Sequence, residues 1–107
     1  MLIPVLVWLM MGLASVGQTP IDPVTAGRQV VEMRDFEFKP NVIRVTVGDT
    51  IVWLNRDVVP HTATAKPQWD TGSIAAKATG SWIARGKGEV TYVCVFHPGM
   101  VGKIVVE

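Results

Sequence analysis

Apolar and polar residues alternate along much of the chain beyond residue 28, and the clearest case is the segment 43–47. There Ile43, Val45 and Val47 alternate with Arg44 and Thr46. Successive side chains of a β-strand point to opposite faces, so this period of two places the three aliphatic residues on one buried face. The segment is therefore predicted to be a strand with one face against a core and one face in water.

Other segments have the same alternation or are short apolar runs bounded by turn residues. They are residues 28–38 with Val31, Met33, Phe36 and Phe38, residues 51–54 with Trp53, residues 62–65, residues 82–83 and residues 89–107. In the first of them the alternation changes face near Asp35, which indicates a bulge or bend. Residues 66–78 show no readable pattern. Short strands separated by turns predict an all-β domain, an antiparallel Greek-key β-sandwich of about seven to eight strands.

The first 17 residues contain no charged side chain, and residues 2–13 are almost continuously apolar. A bilayer-spanning helix needs about 20 such residues, so the run better suits the hydrophobic region of a secretory signal. Ser15 and Gly17 are candidate cleavage positions. We therefore predict a signal peptide at residues 1–17, with an uncleaved membrane anchor or a buried strand as alternatives. Residues 18–27 are predicted to be a linker and residues 28–107 the folded domain of a periplasmic or otherwise exported protein.

Charge and cysteine content exclude several classes of function. The 107 residues include ten basic and nine acidic side chains, for a net charge of +1. A nucleic-acid-binding protein needs a basic face, and no run of like charge is present to supply one. The single cysteine excludes an intramolecular disulfide, a cysteine-rich zinc finger, an iron–sulfur cluster held by four cysteines and a c-type haem.

Three potential metal ligands lie close together within residues 89–107. Cys94, His97 and Met100 follow one another at a spacing of C-x-x-H-x-x-M. Residues three apart in an extended chain are separated by about 10 Å, so the segment must curl before these side chains can share one ion. Pro98 and Gly99 lie between the last two and supply the bend, because proline fixes one backbone angle and glycine permits unusual ones.

The other histidine of the chain, His61, follows a proline at the start of another strand-like segment. Two imidazoles, one thiolate and one thioether match the trigonal His-His-Cys plane and weak axial methionine that copper prefers. Each residue also has an ordinary explanation, with Cys94 as a buried hydrophobe, His61 at the surface and Met100 in the core. Their coincidence at this spacing favours one copper ion per chain, with His61, Cys94, His97 and Met100 as its ligands.

Four motifs make the sequence similar to the cupredoxins, the small blue-copper proteins that include plastocyanin, pseudoazurin and amicyanin. They are VWLN at 52–55, PHT at 60–62, WDTG at 69–72, and YVCVFHPGM at 92–100 followed by Gly102. The spacing within the last motif is that of amicyanin. The resemblance covers residues 29–107 and implies a cupredoxin-like sandwich whose copper is bound by His61, Cys94, His97 and Met100.

Two positions depart from the pattern of amicyanin. Thr62 stands where an asparagine follows the first histidine, so the hydrogen bonds that brace the cysteine loop are expected to differ. Gly99 stands where a bulky aromatic residue precedes the axial methionine, so the resemblance does not imply docking on the same partner.

The resemblance implies a one-electron carrier that cycles between Cu(II) and Cu(I), and not an enzyme. Its partners are expected to be redox proteins that dock transiently around His97, Pro98 and Pro60, with His97 as the electron port. The carrier is expected to be a monomer without nucleic acid or small-molecule substrate, and to meet a membrane only if the N-terminal segment stays uncleaved.

Two other functions, a copper carrier without redox cycling and an enzyme, and one other metal, zinc, remain as alternatives. A copper carrier without redox cycling typically exposes several methionines or cysteines, but only Met33 and Met100 remain once the leader is removed. An enzyme would use Cys94 as nucleophile and His97 or His61 as base, but neither a nucleophile motif nor an orienting third group is recognisable. Zinc suits a thiolate and two imidazoles, although the thioether favours copper.

Overall fold

The structure is a computed structural model that describes residues 26–107. The predicted leader and residues 18–25 of the predicted linker lie outside the described residues. Residues 26–107 form nine β-strands and no helix, hence none that could span a membrane. The strands are β1 (Arg28–Arg34), β2 (Glu37–Lys39), β3 (Val42–Val45), β4 (Thr50–Asn55), β5 (Thr64–Ala65), β6 (Trp69–Asp70), β7 (Thr79–Ile83), β8 (Gly88–Cys94) and β9 (His97–Val106).

The strands form two sheets, one in the order β2-β1-β4-β7 and the other in the order β3-β9-β8-β5-β6. The predicted β-sandwich is confirmed, with nine strands. Its sheets are mixed, because β1 pairs in parallel with β4 and β3 pairs in parallel with β9. Between β1 and β4 the chain leaves the first sheet after β2, contributes β3 to the second sheet, and returns as β4. A chain that returns by such a crossover can run in its original direction.

The alternation seen in the sequence correctly identifies the buried face of β3. Ile43 and Val45 are buried, whereas Val47 lies beyond the strand and is 41% exposed. The change of face near Asp35 is a turn between β1 and β2, in which Asp35 and Phe36 have φ angles of 54° and 60°. Phe38 therefore enters the core while Phe36 stays half exposed.

Aromatic side chains fill the centre of the sandwich. Trp53 of β4 and Tyr92 of β8 are almost fully buried and meet edge to face, with their ring centroids 5.4 Å apart. Phe38 packs against the same tyrosine at 4.5 Å. Trp69 lies between Trp53 and Trp82, at 5.3 Å and 4.7 Å. These contacts link strands of both sheets, so the three tryptophans pack the core around Tyr92, two residues before the cysteine.

Candidate metal centre

The hairpin formed by β8 and β9 brings Cys94 and His97 opposite each other. The turn consists of Val95 and Phe96, and Cys94 pairs with His97 across it. The next pair along the ladder joins Val93 to Val101, so residues 98–100 of β9 have no counterpart on β8 within this described hairpin. The predicted curl is therefore made in two parts, a two-residue turn after Cys94 and a three-residue bulge that includes the expected Pro98-Gly99 bend.

The third donor, His61, is held beside the hairpin by its backbone. Its N–H donates to the Ile74 carbonyl at 3.1 Å, and the Ile74 N–H donates back at 2.7 Å. The Nδ1 atom of His61 then lies 3.7 Å from the Cys94 Sγ atom, and the Nδ1 atom of His97 lies 3.7 Å from the same sulfur. All three donor atoms are within 4.8 Å of one another. The structure thus brings together three of the four residues predicted to bind the ion.

These distances fit a single metal ion between the three donors. With bonds of about 2.3 Å to sulfur and about 2.0 Å to nitrogen, as found for zinc, an angle near 120° places sulfur and nitrogen about 3.7 Å apart. The two observed S–N separations are both 3.7 Å. A trigonal set of two imidazole nitrogens and one thiolate is the plane that copper takes in its electron-transfer sites. The residues present therefore fit copper.

Burial distinguishes the four predicted ligands. His61 and Cys94 are fully buried and Met100 is 2% exposed, while His97 is partly exposed. Met100 is the last residue of the bulge that begins after His97, and it belongs to the buried core. Met100 stays a predicted fourth ligand, and a thioether in that role would favour copper over zinc, because thioether sulfur suits soft ions.

The outer nitrogen of the His61 ring contacts the carboxylate of Asp57. The Nε2 atom lies 2.7 Å from Asp57 Oδ2, within hydrogen-bond distance. The same carboxylate accepts the backbone N–H groups of Asp35 at 2.8 Å and Phe36 at 3.0 Å. Burial raises the pKa of the Asp57 carboxyl, but the hydrogen bonds from Phe36, His61 and Asp35 outweigh it and hold that pKa below its usual value. Asp57 is therefore ionised at neutral pH and acts only as an acceptor.

Asn55 braces the loop that leads to His61. Its fully buried side-chain amide donates to the carbonyls of Val59 at 2.8 Å and Ile74 at 3.0 Å. Its side-chain oxygen accepts the Asp57 N–H at 2.9 Å. One side chain thus satisfies three backbone groups and joins the segments on either side of His61.

Thr62, one of the two departures from the amicyanin pattern, braces the cysteine loop by its hydroxyl and its backbone. The hydroxyl oxygen accepts the Val95 N–H at 3.0 Å, and the Thr62 N–H donates to Cys94 Sγ at 3.3 Å. The Thr64 hydroxyl lies 2.9 Å from Thr62 Oγ1 and 2.9 Å from Asp70 Oδ1. Thr62 therefore braces the cysteine loop, and through the Thr64 hydroxyl it connects that loop to the WDTG motif.

Phe36 packs against both histidine rings. Its ring centroid lies 4.8 Å from that of His97 and 5.4 Å from that of His61, with interplanar angles of 78° and 83°. Sequence reasoning missed both Phe36 and Asp57 as residues of this site. The signal for Asp57 is weak, an acidic residue four positions before a histidine. Phe36 looked like a core residue because it lies two positions before Phe38, which would put both on the same face of a strand.

Comparison with known proteins agrees with this geometry. Residues 25–107 match the family described as copper binding proteins, plastocyanin/azurin family. Amicyanin from Paracoccus denitrificans is 29% identical over 94 residues, which cover 78% of this chain and 69% of amicyanin. The Cu(I) form of an amicyanin mutant superposes with a TM-score of 0.70 at 29% identity, covering 78% of this chain and 86% of the other.

A larger protein contains the same fold. The copper-containing nitrite reductase from Thermus scotoductus matches with a TM-score of 0.69 at 26% identity, over 75% of this chain and 22% of the reductase. The family match spans every described strand and all four predicted ligands, and the S–N separations of 3.7 Å in the His-Cys-His cluster fit one bound ion. The chain belongs to the plastocyanin/azurin family of copper-binding proteins.

Proposed function

We propose that this protein is a one-electron carrier in which His61 Nδ1, Cys94 Sγ and His97 Nδ1 would hold one copper ion, with the Met100 thioether as a fourth ligand. The observation that carries the proposal is the convergence of the two imidazoles on one buried thiolate, at S–N separations of 3.7 Å. Solved amicyanin structures include Cu(I) and oxidised forms, which supports redox cycling at the corresponding site.

Bound copper supplies a one-electron couple between Cu(II) and Cu(I). The chain holds the ligands still, since the hairpin fixes Cys94 and His97 and the Ile74 bridge fixes His61. The Thr62 N–H donates to the Cys94 sulfur at 3.3 Å and so helps to hold it in place. Ligands that are already braced move little when the charge of the centre changes, and this favours fast electron exchange.

We propose that His97 is the electron port and that partners dock on the uncharged surface around it. His97 is the partly exposed member of the His-Cys-His cluster. Val58 is 92% exposed, and Pro60 and Pro98 are exposed as well. Phe36, which touches the His97 ring, is 50% exposed. A small apolar surface suits the short-lived complexes that electron carriers form.

One contact is compatible with an enzyme. Asp57, His61 and Cys94 have the order of an orienting acid, a base and a nucleophile, so Asp57 could be the third group that the sequence did not reveal. Two observations nevertheless favour a carrier. His61 and Cys94 are both fully buried, so a substrate cannot reach the sulfur without a rearrangement of the core. The nitrite reductase with this fold is several times longer than this chain, which covers 22% of it.

We propose in addition that residues 1–17 are an export signal and that the copper domain works in the periplasm or another exported location. The match to the family begins at residue 25, within the predicted linker, which supports a domain that starts near residue 28. Mass spectrometry of protein recovered from the periplasm of a bacterial host tests this. A mature chain that begins near Gln18 is expected, and a chain retained in the membrane with residues 1–17 attached would contradict it.

Spectroscopy and voltammetry test the copper proposal. The copper-loaded, oxidised protein is expected to show an intense blue thiolate-to-copper band, narrow copper hyperfine splitting and a reversible one-electron wave. Cys94→Ser should abolish the band, because the thiolate is its source. If the band survives in that variant, the copper–thiolate assignment is wrong. A protein that binds Cu(I) tightly but gives no reversible wave would be a copper carrier without redox cycling.

The electron self-exchange rate, measured by NMR on mixtures of oxidised and reduced protein, tests the port. Val58→Lys places a charge on the proposed docking surface, and two copies that meet there would repel each other. We expect self-exchange to slow about tenfold or more, since facing like charges cost more than 1.4 kcal/mol. Val47→Lys is the matched control, because Val47 lies beside Glu107 at the far end of β9. Equal rates in the two variants would exclude this docking surface.

A further inference from the structure

We propose that Asp57 is a positioning residue of the copper centre, which orients His61 and at the same time holds Phe36 against both imidazole rings. The inference rests on the proposed copper site. It assigns a specific task to a residue that belongs to none of the sequence motifs and is not itself one of the proposed ligands.

The first part of the argument concerns the His61 ring. Both oxygens of the Asp57 carboxylate already accept backbone N–H groups, so the proton of its contact with His61 sits on Nε2, 2.7 Å from Oδ2. The lone pair of the ring is then on Nδ1, the atom 3.7 Å from the Cys94 sulfur. The contact therefore selects the tautomer that can bind a metal and fixes the ring plane. The Asp57 side chain is 12% exposed, so solvent weakens this interaction little.

The second part concerns the turn between β1 and β2. Asp35 and Phe36 both have positive φ angles, 54° and 60°, which residues with side chains adopt at a cost. Their two consecutive N–H groups donate to the two oxygens of Asp57, at 2.8 Å and 3.0 Å. Charge-assisted hydrogen bonds of this kind stabilise an otherwise unfavourable turn. The turn in that conformation places the Phe36 ring edge to face against His61 and His97.

These two parts predict an effect on the metal that a purely structural brace would not have. A negative charge hydrogen-bonded to a ligand ring favours the more highly charged oxidation state, Cu(II). Loss of such a partner of a metal-bound histidine typically changes metal affinity by about 10- to 100-fold. Each tenfold loss of affinity for Cu(II) relative to Cu(I) raises the potential of a one-electron couple by about 59 mV.

Asp57→Asn is the test and Asp35→Asn is its matched control. An amide has one acceptor oxygen where the carboxylate has two. In either orientation of the amide, its NH₂ group would face an N–H donor that the carboxylate now accepts, and that hydrogen bond would be lost. The control removes a negative charge from the same turn, but the Asp35 carboxylate is 76% exposed and pairs with Lys39 at the surface. We expect Asp57→Asn to raise the reduction potential by about 59 mV or more, a tenfold change, and Asp35→Asn to have a much smaller effect. Equal potentials in the two variants would overturn the proposal.

Amide hydrogen exchange in the Cu(I)-loaded protein tests the turn separately. The Phe36 N–H should be protected in the wild type and should exchange at least about tenfold faster in Asp57→Asn, since a hydrogen bond to a charged acceptor is worth about 1.5 kcal/mol or more. Unchanged protection in that variant would contradict the second part of the argument, because the turn would then hold its shape without the carboxylate.

A wild-type measurement keeps the proposal testable if Asp57→Asn does not fold. In NMR spectra of the diamagnetic Cu(I) protein, the His61 Nε2–H proton should be visible and slow to exchange, because it is bonded to a buried carboxylate. A ring protonated on Nδ1 instead would overturn the proposal. A wild-type protein without the blue band would instead refute the copper site itself, while the exchange of the Phe36 amide would still report on the turn.

Discussion

Replacing Gly102 by alanine tests the packing of the core most directly. Gly102 of β9 lies directly opposite Tyr92 of β8 in the sheet. A Cβ atom built on Gly102 would contact the Tyr92 ring, at 2.5 Å from Oη and 2.6 Å from Cε1 and closer still to Cζ. Carbon atoms in ordinary contact are about 3.5 to 4.0 Å apart. The ring would therefore have to move by about 1 Å.

The Tyr92 ring has little room for such a movement. It is 1% exposed and lies between Phe38 and Trp53, with ring centroids at 4.5 Å and 5.4 Å. Overpacking a core costs about 1–3 kcal/mol, and the enclosed ring places Gly102→Ala near the upper end. Alanine also lowers the conformational entropy of the unfolded chain, which raises the free energy of unfolding by about 0.4–1 kcal/mol. The net loss should be about 2 kcal/mol, or about 8–16 °C in Tm for a domain of this size.

Urea unfolding of the copper-loaded variants, at one fixed copper concentration, measures this loss. Gly86→Ala is the control, because no described atom lies within 4 Å of a Cβ atom built there. Both substitutions have the same effect on the unfolded chain, so their difference isolates the contact with Tyr92. If the two variants differ by less than about 0.5 kcal/mol, within the usual spread of surface substitutions, the close approach of β9 to the Tyr92 ring is wrong.

Two further predictions concern Tyr92 and Thr62. Burial raises the pKa of Tyr92 from 10.0 to about 12. The neutral side chain therefore contributes about 2.7 kcal/mol to the free energy of unfolding below pH 10, and this contribution is lost as the pH rises towards 12. Because Tyr92 is the single tyrosine, its tyrosinate absorbance reports this titration directly, and Tyr92→Phe should remove the alkaline loss of stability; an identical loss in that variant would refute it. Thr62→Val should lower the free energy of unfolding by about 1–3 kcal/mol because it leaves the Val95 N–H without its acceptor. Thr62→Ser keeps the hydroxyl and should be close to wild type, and equal losses in the two variants would rule out the hydroxyl as the brace.

The sequence predicted the sandwich and the buried face of individual strands because a period of two depends only on neighbouring residues. Ile43 and Val45 are buried as their alternation required. The same period says nothing about which strand lies alongside, and the parallel pairing of β1 with β4 was not foreseen for that reason. Residues 66–78 were unreadable because the strand that they contain, β6, has only two residues, Trp69 and Asp70, too few for any period.

The His-Cys-His cluster was predictable in part for a related reason. Cys94 and His97 are three positions apart on one hairpin, so a local turn is enough to bring them together, whereas Met100 as a ligand stays a prediction. His61 required the additional chemical argument that copper prefers two imidazoles. The sequence also drew attention to Thr62 as a departure, but it could not predict that the hydroxyl reaches the Val95 N–H, since the two residues are 33 positions apart.

The residues that escaped prediction are those that act on the ligands from a distance in the chain. Asp57 accepts hydrogen bonds from a turn 21 and 22 residues earlier and from a histidine four residues later, and no pattern of residue types encodes that convergence. Donor types determine which metal the site accepts, whereas hydrogen bonds to the ligands and their burial set its reduction potential. Two family members with identical ligands can therefore differ in potential through residues such as Asp57. The copper motif alone does not predict the direction in which this protein passes electrons, because that direction depends on the potential.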